Sequence, residues 1–122
     1  MQFFNFHLMP YGAVDLDAID GVESSWVTFS NSNYDPVKGA DLYHRYLDEM
    51  DYADELGFDG VCLNEHHQSA YGMMPIPGVL AGALARSLKR AKLAILGRAR
   101  SSDPEVGDGV WLWKKRVSPS RR

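Results

Sequence analysis

The run from Asp35 to Leu63 restricts the folds open to this chain more than any other stretch. Asp35-Pro36 reads as a helix start, because the aspartate carboxylate can accept from a free backbone N–H and a proline in the first helical position forfeits no intrahelical bond. From there Tyr43, Tyr46, Leu47, Met50 and Ala53 recur at spacings of three and four and form one apolar face. Asp41, Arg45, Asp48, Asp51 and Glu55 fall on the other side, with Asp41 and Arg45 spaced as an i,i+4 ion pair. His44 shares that polar side and is expected in solvent, and Gly39 is the weak point near the start. The helix is predicted to run to about Leu56, where Gly57 can take the left-handed conformation that ends a last turn. Phe58-Asp59-Gly60 then leads directly into Val61-Cys62-Leu63, an apolar strand without polar alternation. A strand of that kind is buried on both faces, which is the habit of parallel sheets covered by helices.

The flanking segments repeat the theme. Gln2 to Leu8 is an aromatic-rich run bounded by Pro10 and Gly12 and reads as a strand. Tyr11 to Asp35 shows no period, and a loop of that length is uncommon unless it has a function or is disordered. Pro77 to Leu88 carries Leu80, Leu84 and Leu88 among small alanines and predicts a second, closely packed helix. Leu93 to Leu96 is a third apolar strand, stopped by Gly97. The order is β-α-β-α-β and the class α/β. Pattern alone does not separate an open, doubly wound sheet from a closed barrel. Neither GxGxxG nor GxxxxGK[ST] occurs, so the two common phosphate loops of open sheets are missing.

Composition narrows little further. A hydrophobic content of 45% with 24% charged residues is ordinary for a soluble protein. Cys62, the single cysteine, has no intramolecular disulfide partner and sits between Val61 and Leu63 as a buried side chain would. The apolar start has no basic segment before it and breaks at Pro10, so it does not resemble a secretion signal, and no run reaches the roughly 18 apolar residues of a membrane span. A cytoplasmic location is the resulting expectation.

Parallel α/β folds gather functional groups where strands end and loops toward helices begin. Asn64-Glu65-His66-His67-Gln68 starts at such an end, His7 occupies the matching end of the first strand, and Gly97-Arg98 follows the third. His66 suits acid/base work because an unperturbed imidazole titrates near neutrality and Glu65 stands beside it. Three other readings stand with it. Glu-His-His can serve only to stabilise its loop, His7 can be a core histidine satisfied by backbone, and His7, Glu65, His66 and His67 can gather a divalent metal in a barrel-type hydrolase. Against the last, the first strand lacks HxH, and adjacent histidines do not easily share one ion.

Taken together, GFDGVCLNEHHQSAYGMMPIP resembles the second-strand segment of the bacterial-luciferase-like, flavin-dependent monooxygenases. The resemblance extends back through YDPVKGADLYHRYLDEMDYADEL and FHLMPY and forward to KLAILGRA, covering about residues 1–99. It implies part of a (β/α)8 barrel that binds reduced FMN at its C-terminal rim and uses oxygen to oxygenate a small organic substrate. It also implies His66 as the catalytic base, Glu65 lining the flavin pocket, His7 and Leu8 at the pocket floor, and Leu96, Gly97 and Arg98 near the flavin ring. No metal site is implied. The expected partners are the substrate, oxygen, a flavin reductase and a second subunit in a homo- or heterodimer, with no membrane and no nucleic acid. The aromatic residues of the long loop, Trp26, Phe29 and Tyr34, are either a shield against water or ordinary anchors.

After Ala99 the resemblance stops. The family continues with a Leu-Pro turn and a helix, whereas this chain reads RSSDPEVGDGVWLWKKRVSPSRR, without a period and with a Gly-Asp-Gly turn. Charge inverts at the same place: residues 1–97 carry 6 basic and 13 acidic side chains, residues 98–122 carry 7 and 3. Residues 100–122 are therefore expected to be an irregular, disordered basic tail, produced by a shifted reading frame or a misplaced gene end, the alternative being a genuine short protein with a new basic tail. A barrel of this type takes around 250 residues to close. The chain is accordingly expected to be truncated and inactive alone, the alternative being a non-enzymatic fragment or a subunit that needs a partner chain.

Overall fold

Asp35 caps the first helix as its position predicts, accepting from the amides of Val37 and Lys38 at 2.9 and 3.3 Å. In the computed structural model the described residues are 1–67 and 69–96, together with the backbone strand at 111–113. Gln68, Gly97, Arg98 and the remainder of the 100–122 tail lie outside the described residues. The elements run β1 (Phe4–His7), α1 (Pro36–Glu55), β2 (Gly60–Leu63), α2 (Pro77–Ser87), β3 (Lys92–Ile95) and β4 (Trp111–Trp113). β1, β2, β3 and both helices fall within a residue or two of their predicted spans, whereas β4 has no predicted counterpart. Gly57 adopts φ 90° at the end of α1, the conformation for which glycine was needed.

β1, β2 and β3 pair in parallel and in sequential order, with Phe4 opposite Gly60 and Gly60 opposite Lys92. Asp59 ties their starts together: its carboxylate accepts from the Phe3 amide, its amide donates to the Phe3 carbonyl, and its carbonyl accepts from Lys92, all at 2.8–2.9 Å. Since side chains alternate along a strand, Val61, Leu63 and Leu93 share one face. That face carries the core, formed with Tyr46, Met50 and Ala53 of α1 and with Leu84 and Leu88 at α2. Both helices thus cover the same side of the sheet. Phe4, Phe6, Cys62 and Ala94 point to the opposite side. Cys62 is buried there, and burial pushes its thiol pKa up, in keeping with a packing role.

Four local expectations change in the folded chain. Gly39 is not simply a weak point, because a Cβ there would come within 1.9 Å of the Tyr34 hydroxyl; the bare backbone lets the Tyr34 ring lie on α1. Arg45 reaches forward to Glu49 (Nε to Oε1, 2.7 Å) rather than back to Asp41. Asp54, which drew no attention in the sequence, is buried at the end of α1. In the tail, Trp111–Trp113 pairs antiparallel with β3, Ile95 opposite Trp111 and Leu93 opposite Trp113, so this part is not irregular. Three residues are too few to display a period, and only the partner strand defines them. Among the described residues no helix is long and apolar enough to cross a membrane.

Gly82 lies in the middle of α2, exposed, with nothing within 4 Å of a built Cβ. Gly82→Ala is expected to stabilise the chain by about 0.5–1 kcal/mol, by reducing the freedom of the unfolded backbone. Urea unfolding midpoints check this, and a lower midpoint for the variant would contradict it.

Candidate functional site

The C-terminal ends of β1 and β2 carry the polar residues singled out in the sequence. His7, the last residue of β1, is fully engaged by the protein. Its Nδ1 accepts from the Met9 amide at 3.0 Å, which leaves the proton on Nε2, and Nε2 donates to Glu49 Oε2 at 3.0 Å. The ring lies 4.8 Å from that of Tyr46. Glu49 also holds Arg45, and the hydrogen bond from His7 followed by that from Arg45 keeps its carboxyl below the usual carboxylate range. His7 therefore fastens β1 to α1. Leu8, by contrast, is half-exposed at the rim, and His44 is exposed on α1.

His66 stands differently. Its backbone is fixed by an amide hydrogen bond to the Met74 carbonyl at 2.9 Å, while its ring packs between aromatic neighbours. Tyr71 lies 5.4 Å from it, centroid to centroid, and Trp26 meets it edge-on at 6.0 Å while stacking on Tyr71. The Nε2 atom is shut away from solvent and has no hydrogen-bond partner among the described residues. Burial, reinforced by the neighbouring His67, lowers the His66 pKa from 6.5, so the imidazole is neutral at physiological pH. An orphaned, neutral imidazole nitrogen beside two aromatic rings is a group able to accept or donate a proton once a ligand meets it.

The long 11–35 loop supplies this packing. Phe29 is buried and the Tyr34 ring rests 4.9 Å from Tyr11, so both act as anchors. Trp26 stays largely exposed while contacting Tyr71 and His66, which puts it over the imidazole. The Ser69 hydroxyl donates to the Ser25 carbonyl at 2.9 Å and joins this loop to the one after β2.

Two clefts open at this edge. One, of about 260 Å³, is bounded by His66, His67, Tyr34, Tyr43, Gly72 and Met73. The other, of about 320 Å³, is lined by Glu65, Pro75, Ile76, Pro77, Gly78 and Ile95, between the ends of β2 and β3 and the start of α2. Glu65 and His66, neighbours in sequence, thus border different clefts. The Glu65 side chain is largely buried and has His67 Nε2 at 3.6 Å. Leu96 prolongs the β2–β3 pairing through an amide bond to the Leu63 carbonyl at 2.7 Å. Asn64, at the same edge, holds a buried Oδ1 with no partner among the described residues. No three His, Cys, Asp or Glu side chains converge on a metal-sized centre among the described residues, and His7 is drawn to Glu49, so His7, Glu65, His66 and His67 are not brought together.

The sequence assigns no part in the site to Asn64, Tyr71 or Gly72, and it marks Tyr43 only as part of the apolar face of α1. Asn64 directly follows β2, the one local signal that would have flagged it; the other three matter through contacts that spacing does not reveal.

No family model, no curated protein and no solved structure matches the chain.

Proposed function

We propose that this chain forms the first strands of a luciferase-like (β/α)8 barrel, and that its C-terminal edge belongs to a site where reduced FMN and oxygen act on a small organic substrate. The observation that carries the proposal is the orphaned Nε2 of a neutral His66 at the C-terminal edge of three sequentially ordered parallel strands. The winding supports it. An open doubly wound sheet places helices on both faces, whereas a barrel keeps them all outside. Here both helices cover one face, and Phe6 is left half-exposed on the other, the side a barrel would close around.

The residues fit the flavin ring better than its phosphate. Pro75, Ile76, Pro77 and Ile95 make an apolar wall beside the carboxylate of Glu65, a setting suited to a flat fused ring with one polar edge. Asn64 Oδ1 at the same edge is an acceptor in need of an N–H donor. Among the described residues neither cleft is lined by Lys or Arg, so none of those residues grips the phosphate. Reduced flavin, when bound, supplies the electrons that activate oxygen. The part of His66 is to hold or move a proton at Nε2, while Trp26 and Tyr71 keep water from it. In a barrel of this type the active rim is built by the loops of all eight strands.

Titration with lumiflavin, the ring without a phosphate, and with FMN tests this reading by flavin fluorescence and by NMR of the chain. Weak binding of both, with similar affinity and with signals of Glu65, His66 or Ile95 perturbed, is the expected result. Tight one-to-one binding of FMN with a clear preference over lumiflavin would refute a site without a grip on the phosphate. Unperturbed signals at millimolar lumiflavin would refute the flavin site itself.

A further inference from the structure

The loops that follow β1 and β2 are joined to each other in a way that bears directly on His66. The Tyr11 amide donates to the Tyr71 carbonyl at 3.0 Å and the Met73 amide to the Met9 carbonyl at 2.9 Å, with Pro10 and Gly72 facing each other as an antiparallel bridge. Hydroxyl groups of α1 pin both sides: Tyr46 donates to the Pro10 carbonyl at 2.7 Å and Tyr43 to the Met73 carbonyl. Met9, buried at the turn, is held at φ 45°, a conformation uncommon for a non-glycine residue and kept only where surroundings impose it. Gly72 occupies the middle of this clasp. A Cβ there would stand 2.7 Å from His66 Cδ2, 2.9 Å from Cγ and 3.1 Å from Cβ. These atoms are at the root of the imidazole, and the His66 amide is itself bound to Met74, so the ring has no inexpensive way to step aside.

We propose that the clasp is a positioning device for His66, in which the bare backbone of Gly72 and the hydroxyl of Tyr43 set the depth and orientation of the imidazole against Trp26 and Tyr71. Gly72 gives the ring its seat, and Tyr43 holds the neighbouring carbonyl so that the seat stays in place. Both are positioning residues. The inference rests on the packing at the rim and stands or falls independently of any flavin. Among the described residues the titratable groups around the imidazole are His67 and Glu65 on its own loop, Tyr71 on the clasp, Tyr43 on α1 and Tyr34 of the 11–35 loop across the cleft.

The test follows the ring signal of His66 by NMR through a pH titration of the full chain, the signal being assigned by its loss in His66→Gln. In the native chain it titrates below the ordinary histidine value and carries ring-current shifts from Trp26 and Tyr71. In Gly72→Ala the midpoint is expected to move up toward 6.5 as burial is lost, and the ring-current shifts to collapse. Tyr43→Phe, which adds no volume, is expected to move both in the same direction by less. Gly82→Ala, far from any contact, is expected to move neither. An unchanged midpoint and unchanged ring-current shifts in folded Gly72→Ala would overturn the proposal. Should that variant fail to fold by circular dichroism, an unchanged His66 in Tyr43→Phe overturns it instead.

Discussion

Replacing Asp54 with alanine is expected to cost about 3 kcal/mol of stability, the largest effect of any single polar substitution among the described residues. The carboxylate is buried and accepts from three successive amides: Lys89 at 2.6 Å, Arg90 at 3.2 Å and Ala91 at 2.8 Å. Those amides form the turn between α2 and β3, so one side chain at the end of α1 joins a helix to a connection 35 to 37 residues away. Arg90 answers from the other side, its Nη2 donating to the Asp54 carbonyl at 2.7 Å. Its guanidinium is mostly exposed, and the ion pair at 4.0 Å adds little. Alanine leaves the three amides without their acceptor, that of Ala91 in a buried residue. Asparagine, which keeps one oxygen, should cost about half as much. Urea unfolding of the variants at neutral pH measures both.

The same residue fixes the sign of an acid effect. Burial alone would raise the Asp54 pKa, but the bonds from Lys89, Ala91 and Arg90, with the charge of Arg90, outweigh it and hold the carboxyl below 3.8. The unfolded chain therefore takes up this proton first as pH falls. The contribution of Asp54 is fully present above pH 3.8 and is lost as pH drops from there through the folded value. Asp54→Ala should thus flatten the acid dependence of stability below about pH 4, though not abolish it, since Glu49 titrates with the same sign. An acid dependence as steep in the variant as in the native chain would show that other carboxylates carry it.

Gly60→Ala is the second large effect. Gly60 begins β2, the strand between β1 and β3, and a Cβ on it would stand 2.2 Å from Phe4 Cε1, 2.4 Å from Phe4 Cδ1 and 2.9 Å from the Lys92 carbonyl oxygen. The phenyl ring can swing away, at the loss of its packing over the sheet. The carbonyl has less room, because Lys92 is the register partner of Gly60 and its own amide is bound to Asp59. An overpacked site of this kind costs about 2–3 kcal/mol. Adding Phe4→Leu to Gly60→Ala should recover part of the loss and leave the part due to the carbonyl. If Gly60→Ala alone unfolds within about 0.5 kcal/mol of the native chain, the contact is softer than its geometry implies.

Gly60 and Asp54 also mark where sequence reasoning runs out. Gly60 reads as part of a turn, and nothing in its neighbours says that a phenyl ring from β1 will cross it. Asp54 does carry a local signal: it stands four residues after Met50 and eight after Tyr46, on the apolar stripe of α1. An acid on such a stripe is either misplaced or holding something, and the amides it holds come from a turn far along the chain. Gly39 illustrates the reverse. Helix propensity counts it as a loss, yet the Tyr34 ring needs its bare surface. Of the rim residues, the sequence marks His66 and Glu65 at a strand end, but not that they border separate clefts or that Gly72 underlies the imidazole.

The sequence by itself determined the order of elements from β1 to β3 and their parallel α/β character, because caps, turn glycines and hydrophobic periods act over a few residues: Asp35-Pro36 starts α1 and Gly57 ends it wherever the rest of the chain lies. Only the tertiary structure decided which polar groups are satisfied. His7 and His66 both end or follow a parallel strand and look alike in the sequence, yet Glu49 and the Met9 amide take both ring nitrogens of the first, while Nε2 of the second is left buried without a partner among the described residues. The reason is one of distance: the helix that satisfies His7 begins 29 residues after it, and the groove that strands His66 is assembled from Trp26, Tyr43, Tyr71 and Gly72, which meet only when the two rim loops close on each other.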